Sequence, residues 1–169
     1  MIILSLILLL ISIMLQGIIS NYFGYIYDSI TLFSTVYVLI TLLILNPYFE
    51  NKKKYFALLI IAGLIMDITY TDIFLLNTCL FMVSYYLSKT FHFFFPYNWI
   101  TISISNLLSV FTYHIITFIF LTLLSYDSYT IWTLLKILTH SILMTIIYSS
   151  IIYTIVTFIN TKFQLKEVK

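Results

Sequence analysis

One cysteine is too few for an intrachain disulfide or a cysteine-rich metal site, and Cys79 lies inside an apolar run. Glycine occurs only at positions 17, 24 and 63, so neither a Walker loop nor a glycine-rich nucleotide fingerprint is present. None of the serines sits in a Gly-x-Ser-x-Gly elbow, and the three histidines lack His-Glu-x-x-His spacing. These absences leave no catalytic residue, cofactor or metal site to nominate, and a non-enzymatic role is expected.

Charge is equally scarce. Only 8% of the residues carry it, against about a quarter in a soluble globular domain. The net charge of +2 is too small to suggest a nucleic-acid partner, and arginine is absent, all eight basic residues being lysine.

What fills the chain is hydrocarbon: 62% of the residues are hydrophobic and the mean hydropathy is +1.10. No stretch is long enough for a domain outside the membrane, so the 169 residues are expected to form a single all-α, polytopic membrane bundle. A spanning helix needs about 20 apolar residues, and six segments approach this, over 1–20, 30–45, 55–70, 73–88, 99–124 and 131–160. The first lacks the basic start and small-residue cleavage site of a secretory signal and reads as a retained helix. Thr69-Tyr70-Thr71-Asp72 is a polar break that separates the third segment from the fourth. The run Phe91 to Pro96 reads as an inner loop lying against the membrane, with a longer fourth helix as the alternative.

Lysine placement sets the orientation, because short cytoplasmic loops accumulate Lys and Arg. Lys52, Lys53 and Lys54 follow the second segment, Lys89 the fourth, and Lys162, Lys166 and Lys169 the sixth. Six crossings put all of them on one side, whereas Asp28, Asp72 and Asp127 fall on the other. Both termini are then cytoplasmic. Tyr22, Tyr25, Tyr27, Tyr97, Trp99, Tyr126, Tyr129 and Trp132 sit near the segment ends, at the headgroup level that amphipathic rings prefer.

In lipid, helix contacts are read from small and hydrogen-bonding residues. Such stripes are Ser5, Ser12, Gln16 and Ser20 on the first helix; Asn77, Ser84 and Ser88 on the fourth; and Ser103, Asn106, Tyr113 and Thr117 on the fifth. They are expected to face the bundle interior, knitting helices together or lining a path. Asp67 stands out because a carboxylate within a spanning segment costs roughly 2.5–3.5 kcal/mol. Lys136, His140 and His114 lie at depths compatible with its own, roughly 8–15 Å from the outer helix ends. An Asp67 pair with Lys136 or His140 is one expectation; hydration of Asp67 and outward snorkelling of Lys136 is the other.

The segment Gly63-Leu64-Ile65-Met66-Asp67-Ile68, a polar turn, and Leu76-Asn77 opening the next helix resemble the MreD family of bacterial rod shape-determining membrane proteins. The preceding Asn46-Pro47 and the Lys52 to Lys54 loop agree with it, so the match spans residues 46–85. The glycine common in the family just before the Leu-Asn is here Leu75. The resemblance implies a multi-pass protein of the bacterial cytoplasmic (inner) membrane that acts as a scaffold of the cell-elongation machinery. It would bind MreC and couple MreB filaments to peptidoglycan synthesis and rod shape. A RodA-type glycosyltransferase and a class B penicillin-binding protein are further implied partners. Gly63, Asp67 and Asn77 are the motif residues, and Lys52, Lys53 and Lys54 form the natural inner contact or an anchor for anionic membrane lipid.

The alternative is a carrier similar to the S component of a vitamin importer, holding a small molecule where Asp67, His114, Lys136 and His140 converge. The Ala-x-x-x-Ala docking face often found on helix one of such proteins is missing, since the alanines are Ala57 and Ala62.

Overall fold

A computed structural model describes residues 2–27, 35–70, 73–124 and 130–163, with side chains described from 4–19 in the first stretch and up to 162 in the last. Among the described residues the fold is all-helical, with six α-helices in the order α1 (Ile2–Tyr27), α2 (Tyr37–Leu45), α3 (Lys52–Tyr70), α4 (Leu76–Phe94), α5 (Trp99–Leu123) and α6 (Ile131–Phe163). Pro47 tightens the end of α2 into a 3-10 turn over Asn46–Tyr48. Helices α3 to α6 pack in chain order, each on the next, while α1 lies on α2.

The centre belongs to α2. All nine of its residues are buried, and it contacts α1, α4, α5 and α6. Its run Tyr37-Val38-Leu39-Ile40-Thr41-Leu42-Leu43-Ile44-Leu45 has no polar face, as expected of a helix surrounded on all sides by other helices. Around it, α1, α4, α5 and α6 turn large apolar side chains outward, among them Leu10 at 60%, Leu143 at 64% and Phe158 at 63% exposure.

Two helices, over Trp99–Leu123 and Ile131–Lys162, are long and apolar enough to cross a membrane, and two shorter apolar stretches run over Leu4–Ile19 and Tyr37–Tyr48. The expected six segments are therefore present as helices, but length and hydropathy by themselves mark only two as spans. Three opening lysines dilute α3, and Lys89 and His92 interrupt the apolar character of α4.

Several boundaries differ from the sequence reading: α1 runs on to Tyr27 instead of ending at 20, α2 opens at Tyr37 instead of 30, α4 opens at Leu76 instead of 73, and the start of α3 and the end of α4 also move. The lysines expected in a loop before α3 form its first turn, where Asn51 accepts at its side-chain oxygen from the backbone N–H of Lys53 at 3.0 Å. Lys89 lies inside α4 and is exposed. The run Phe91 to Phe94, expected as an inner loop, continues α4. Pro96 sets the end of that helix: Phe95 is extended, at φ −123° and ψ 140°, the conformation that a following proline imposes. Next, the backbone N–H of Asn98 donates to Thr101 Oγ1 at 3.0 Å and starts α5. Asp28, Asp72, Asp127, Tyr126, Tyr129, Lys166 and Lys169 lie outside the described residues, as do the side chains of Ser20, Tyr22, Tyr25 and Tyr27.

Candidate functional site

Helices α3 and α4 come into close backbone contact, and glycine makes it possible. A Cβ placed on Gly63 would stand 2.6 Å from Thr78 Cα and 2.8 Å from Thr78 Oγ1. Only a residue without a side chain lets the α4 backbone come this close.

One turn further along α3, Asp67 is 3% exposed. Its Oδ1 accepts from the backbone N–H of Asn77 at 2.7 Å. Its Oδ2 accepts from the Thr78 backbone N–H at 3.2 Å and from Thr78 Oγ1 at 2.8 Å. These donors include the N–H groups that a helix start leaves without intrahelical partners. Leu75, at the cap position of α4, has no side-chain oxygen to supply, so Asp67 reaches across from the preceding helix and does the capping. A carboxylate is also the favoured charge at the positive end of a helix. Asn77 then extends the link, its Oδ1 accepting from the Tyr113 hydroxyl at 2.5 Å and tying α4 to α5. Replacing Tyr113 by Phe is expected to cost about 1 kcal/mol, read as a lower midpoint of reversible unfolding in detergent.

Leu75 adopts φ 68°, the one left-handed residue other than glycine among those described. A β-carbon in that conformation costs about 1–2 kcal/mol. A glycine at this position would take the same turn without strain. Leu75→Gly is therefore expected to stabilise the protein by about 1 kcal/mol; a loss of stability would show that the exposed leucine side chain contributes more than its backbone costs.

The expected ionic partners of Asp67 are elsewhere. Lys136 is exposed and His140 half-buried, with His140 Nδ1 2.8 Å from the Lys136 carbonyl oxygen. Among the described residues no hydrogen bond or ion pair joins either of them to Asp67. The reason is topological: α3 packs on α4, whereas α6 packs on α5 and α2. His114 is half-buried, its ring 5.4 Å from that of Tyr113. A double-mutant cycle between Asp67 and Lys136 should accordingly be additive to within about 0.5 kcal/mol; a larger coupling would restore the pair.

Most of the polar stripe residues face inward, and several of them join helices. Ser5, Ser12, Asn77, Ser84, Ser88, Ser103 and Asn106 are all buried. Gln16 accepts from the Tyr37 backbone N–H at 2.9 Å, Ser105 donates to Ser88 at 2.9 Å, and Asn106 donates to Ser149 at 3.1 Å. Missed in the sequence was the seam between the α2 segment and α6, where Thr35 meets Thr145 at 2.7 Å and Thr41 meets the Tyr148 hydroxyl at 2.9 Å. A Thr/Ser period of about four along α6, at Ser141, Thr145 and Ser149, was the available signal.

Near the start of α3, Lys52 folds back, donating to the Asn46 carbonyl at 3.1 Å and to its side-chain oxygen at 3.2 Å. Lys53 and Lys54 are exposed. Tyr97, in the α4–α5 connection, stacks on His92 with ring centroids 3.9 Å apart. Burial raises the Tyr97 phenol above its usual value, and a hydrogen bond with Asn46 works the other way. A groove of 230 Å³ between α4 and α5 is walled by Phe91, Phe94 and Phe95, with no titratable side chain in it.

The class of protein defined by these features is an all-α bundle whose polar groups bind helices to one another. No family model, curated protein or solved structure matches the chain.

Proposed function

We propose that this chain is a non-enzymatic membrane scaffold of the MreD type, crossing the bacterial inner membrane six times with both ends inward. It binds MreC through helix faces and short loops and so helps couple MreB filaments to peptidoglycan synthesis. The observation that carries the reading is the meeting of the three motif residues. Gly63 admits the α4 backbone at Thr78, Asp67 caps α4, and Asn77 supplies one of the capped N–H groups. The family's glycine position, held here by Leu75, is also the left-handed one.

The lengths of α3 and α4 are compatible with crossings. Helices α3 and α4 have 19 residues each, about 28 Å at the α-helical rise, close to a hydrocarbon core of about 30 Å. The nine-residue α2 is buried in protein, where the extended and 3-10 backbone flanking it can also lie at membrane depth. Apolar side chains exposed along four helices suit a hydrocarbon surrounding better than water. The carrier reading needed Asp67 and Lys136 in one ligand site, and the carboxylate is instead engaged by α4.

The test is co-purification from detergent with a single-pass, coiled-coil MreC protein, alongside depletion in a rod-shaped cell. Retention of the partner and rounding of depleted cells are expected. A folded chain that captures no MreC and whose loss leaves rods intact would rule out the scaffold. Reporter tags should place residues 52–54 and 125–130 on opposite sides of the membrane; a common side would end the topology.

A further inference from the structure

Helices α4 and α5 are pinned to each other at two levels. The Tyr113 hydroxyl donates to Asn77 Oδ1 at one, and Ser105 Oγ donates to Ser88 Oγ at the other. In an antiparallel pair, one turn back from Ser88 on α4 and one turn on from Ser105 on α5 reach the same height. Those positions are Ser84 and Ser109. Both lie on the faces that carry the two pins, because residues 77, 84 and 88 share one side of α4 and residues 105, 109 and 113 share one side of α5.

Ser84 and Ser109 are each 0% exposed, and neither hydroxyl has a hydrogen-bond partner among the described residues. They do not bond to each other as Ser88 and Ser105 do. Nor do they fold back onto their own helix, as Ser103, Thr112 and Thr117 do at 2.8–2.9 Å. Two orphaned hydroxyls at one level of a helix interface are unfavourable unless a third group joins them.

We propose that the α4–α5 seam is a binding site for one internal water, held between Ser84 Oγ and Ser109 Oγ. Water fits the chemistry required: it donates and accepts at once, and it is the smallest group able to serve two serine hydroxyls together. An apolar ligand would leave both hydroxyls unsatisfied. With the water in place, the α4–α5 interface carries a polar link at three levels: Tyr113 to Asn77, Ser109 to Ser84 through the water, and Ser105 to Ser88.

The test is a double-mutant cycle on the full chain, Ser84→Ala and Ser109→Ala, read by reversible unfolding in detergent. The Ser88/Ser105 pair serves as a directly bonded control. A shared water predicts that each single variant lowers the folding equilibrium constant about tenfold, because its loss strands the remaining hydroxyl. The double variant should then fall no further than one single, the signature of coupling. Two single variants that raise stability, or effects that simply add, would overturn the site. Both outcomes are readable because serine-to-alanine changes remove one atom and add no bulk. A density peak between the two hydroxyls in a high-resolution structure is the direct check, and hydroxyls turned onto the carbonyls of their own helices would also refute it.

Discussion

Replacing Gly63 by Val is expected to be among the most damaging single changes in this protein, at about 2–3 kcal/mol. The nearest atom to a new Cβ is the Thr78 Cα, at 2.6 Å. Backbone cannot rotate aside as a long side chain can, so α4 must back away from α3. That movement draws the Thr78 N–H and hydroxyl away from the Asp67 carboxylate, one turn along. Part of the loss is therefore capping energy as well as overpacking. Gly63→Ala should lose less, since alanine regains about 1 kcal/mol of helix propensity and has the smaller bulk, but it meets the same Thr78 backbone. The measurement is the unfolding midpoint in detergent. A fully stable Gly63→Val protein would mean that the two helices are not in close contact.

Asp67→Ala is the second large effect. It strips the acceptor from the Asn77 and Thr78 N–H groups and from Thr78 Oγ1 at once. The expected cost is about 3 kcal/mol, since hydrogen bonds to a charged group contribute about 1.5–3 kcal/mol each and buried donors left unpaired are penalised. Asp67→Asn should fall between, because its single amide oxygen can serve some of the donors while its NH2 confronts the others. Combining Asp67→Ala with Gly63→Val should cost less than the sum, both acting on one helix contact. If Asp67→Asn proved as damaging as Asp67→Ala, the charge at the helix start would matter more than the number of acceptors. The proposed scaffold role adds a separate readout: if it holds, variants that open this contact should reduce MreC capture in proportion to their loss of stability. Lys136→Ala, altering an exposed residue, should leave both stability and capture nearly unchanged.

Much of this was legible in the residues. Apolar segments separated by Asn46-Pro47, Thr69 to Asp72 and Pro96 announced helices and their breaks, because a chain this poor in charge can satisfy its backbone only internally. Serine and asparagine stripes announced inward faces. Asp67 announced that something must meet it, since a buried carboxylate without partners is too costly. Its partner was illegible for a physical reason. Lysine and histidine are recognisable as cations in any sequence, whereas the partial positive charge of a helix start belongs to backbone N–H groups that every residue carries. Only the placement of α4 against α3 shows that those groups point at Asp67.

The same division runs through the whole molecule. Composition by itself determined the class of structure, helical and rich in exposed hydrocarbon, because one-dimensional facts about polarity suffice to choose between helix and open chain in an apolar surrounding. Tertiary structure decided which helix lies at the centre, which glycine is indispensable and which hydroxyls share a level. Those depend on crossing heights and facing directions, and helices packed by small residues and hydrogen bonds carry no hydrophobic gradient from which such heights could be read.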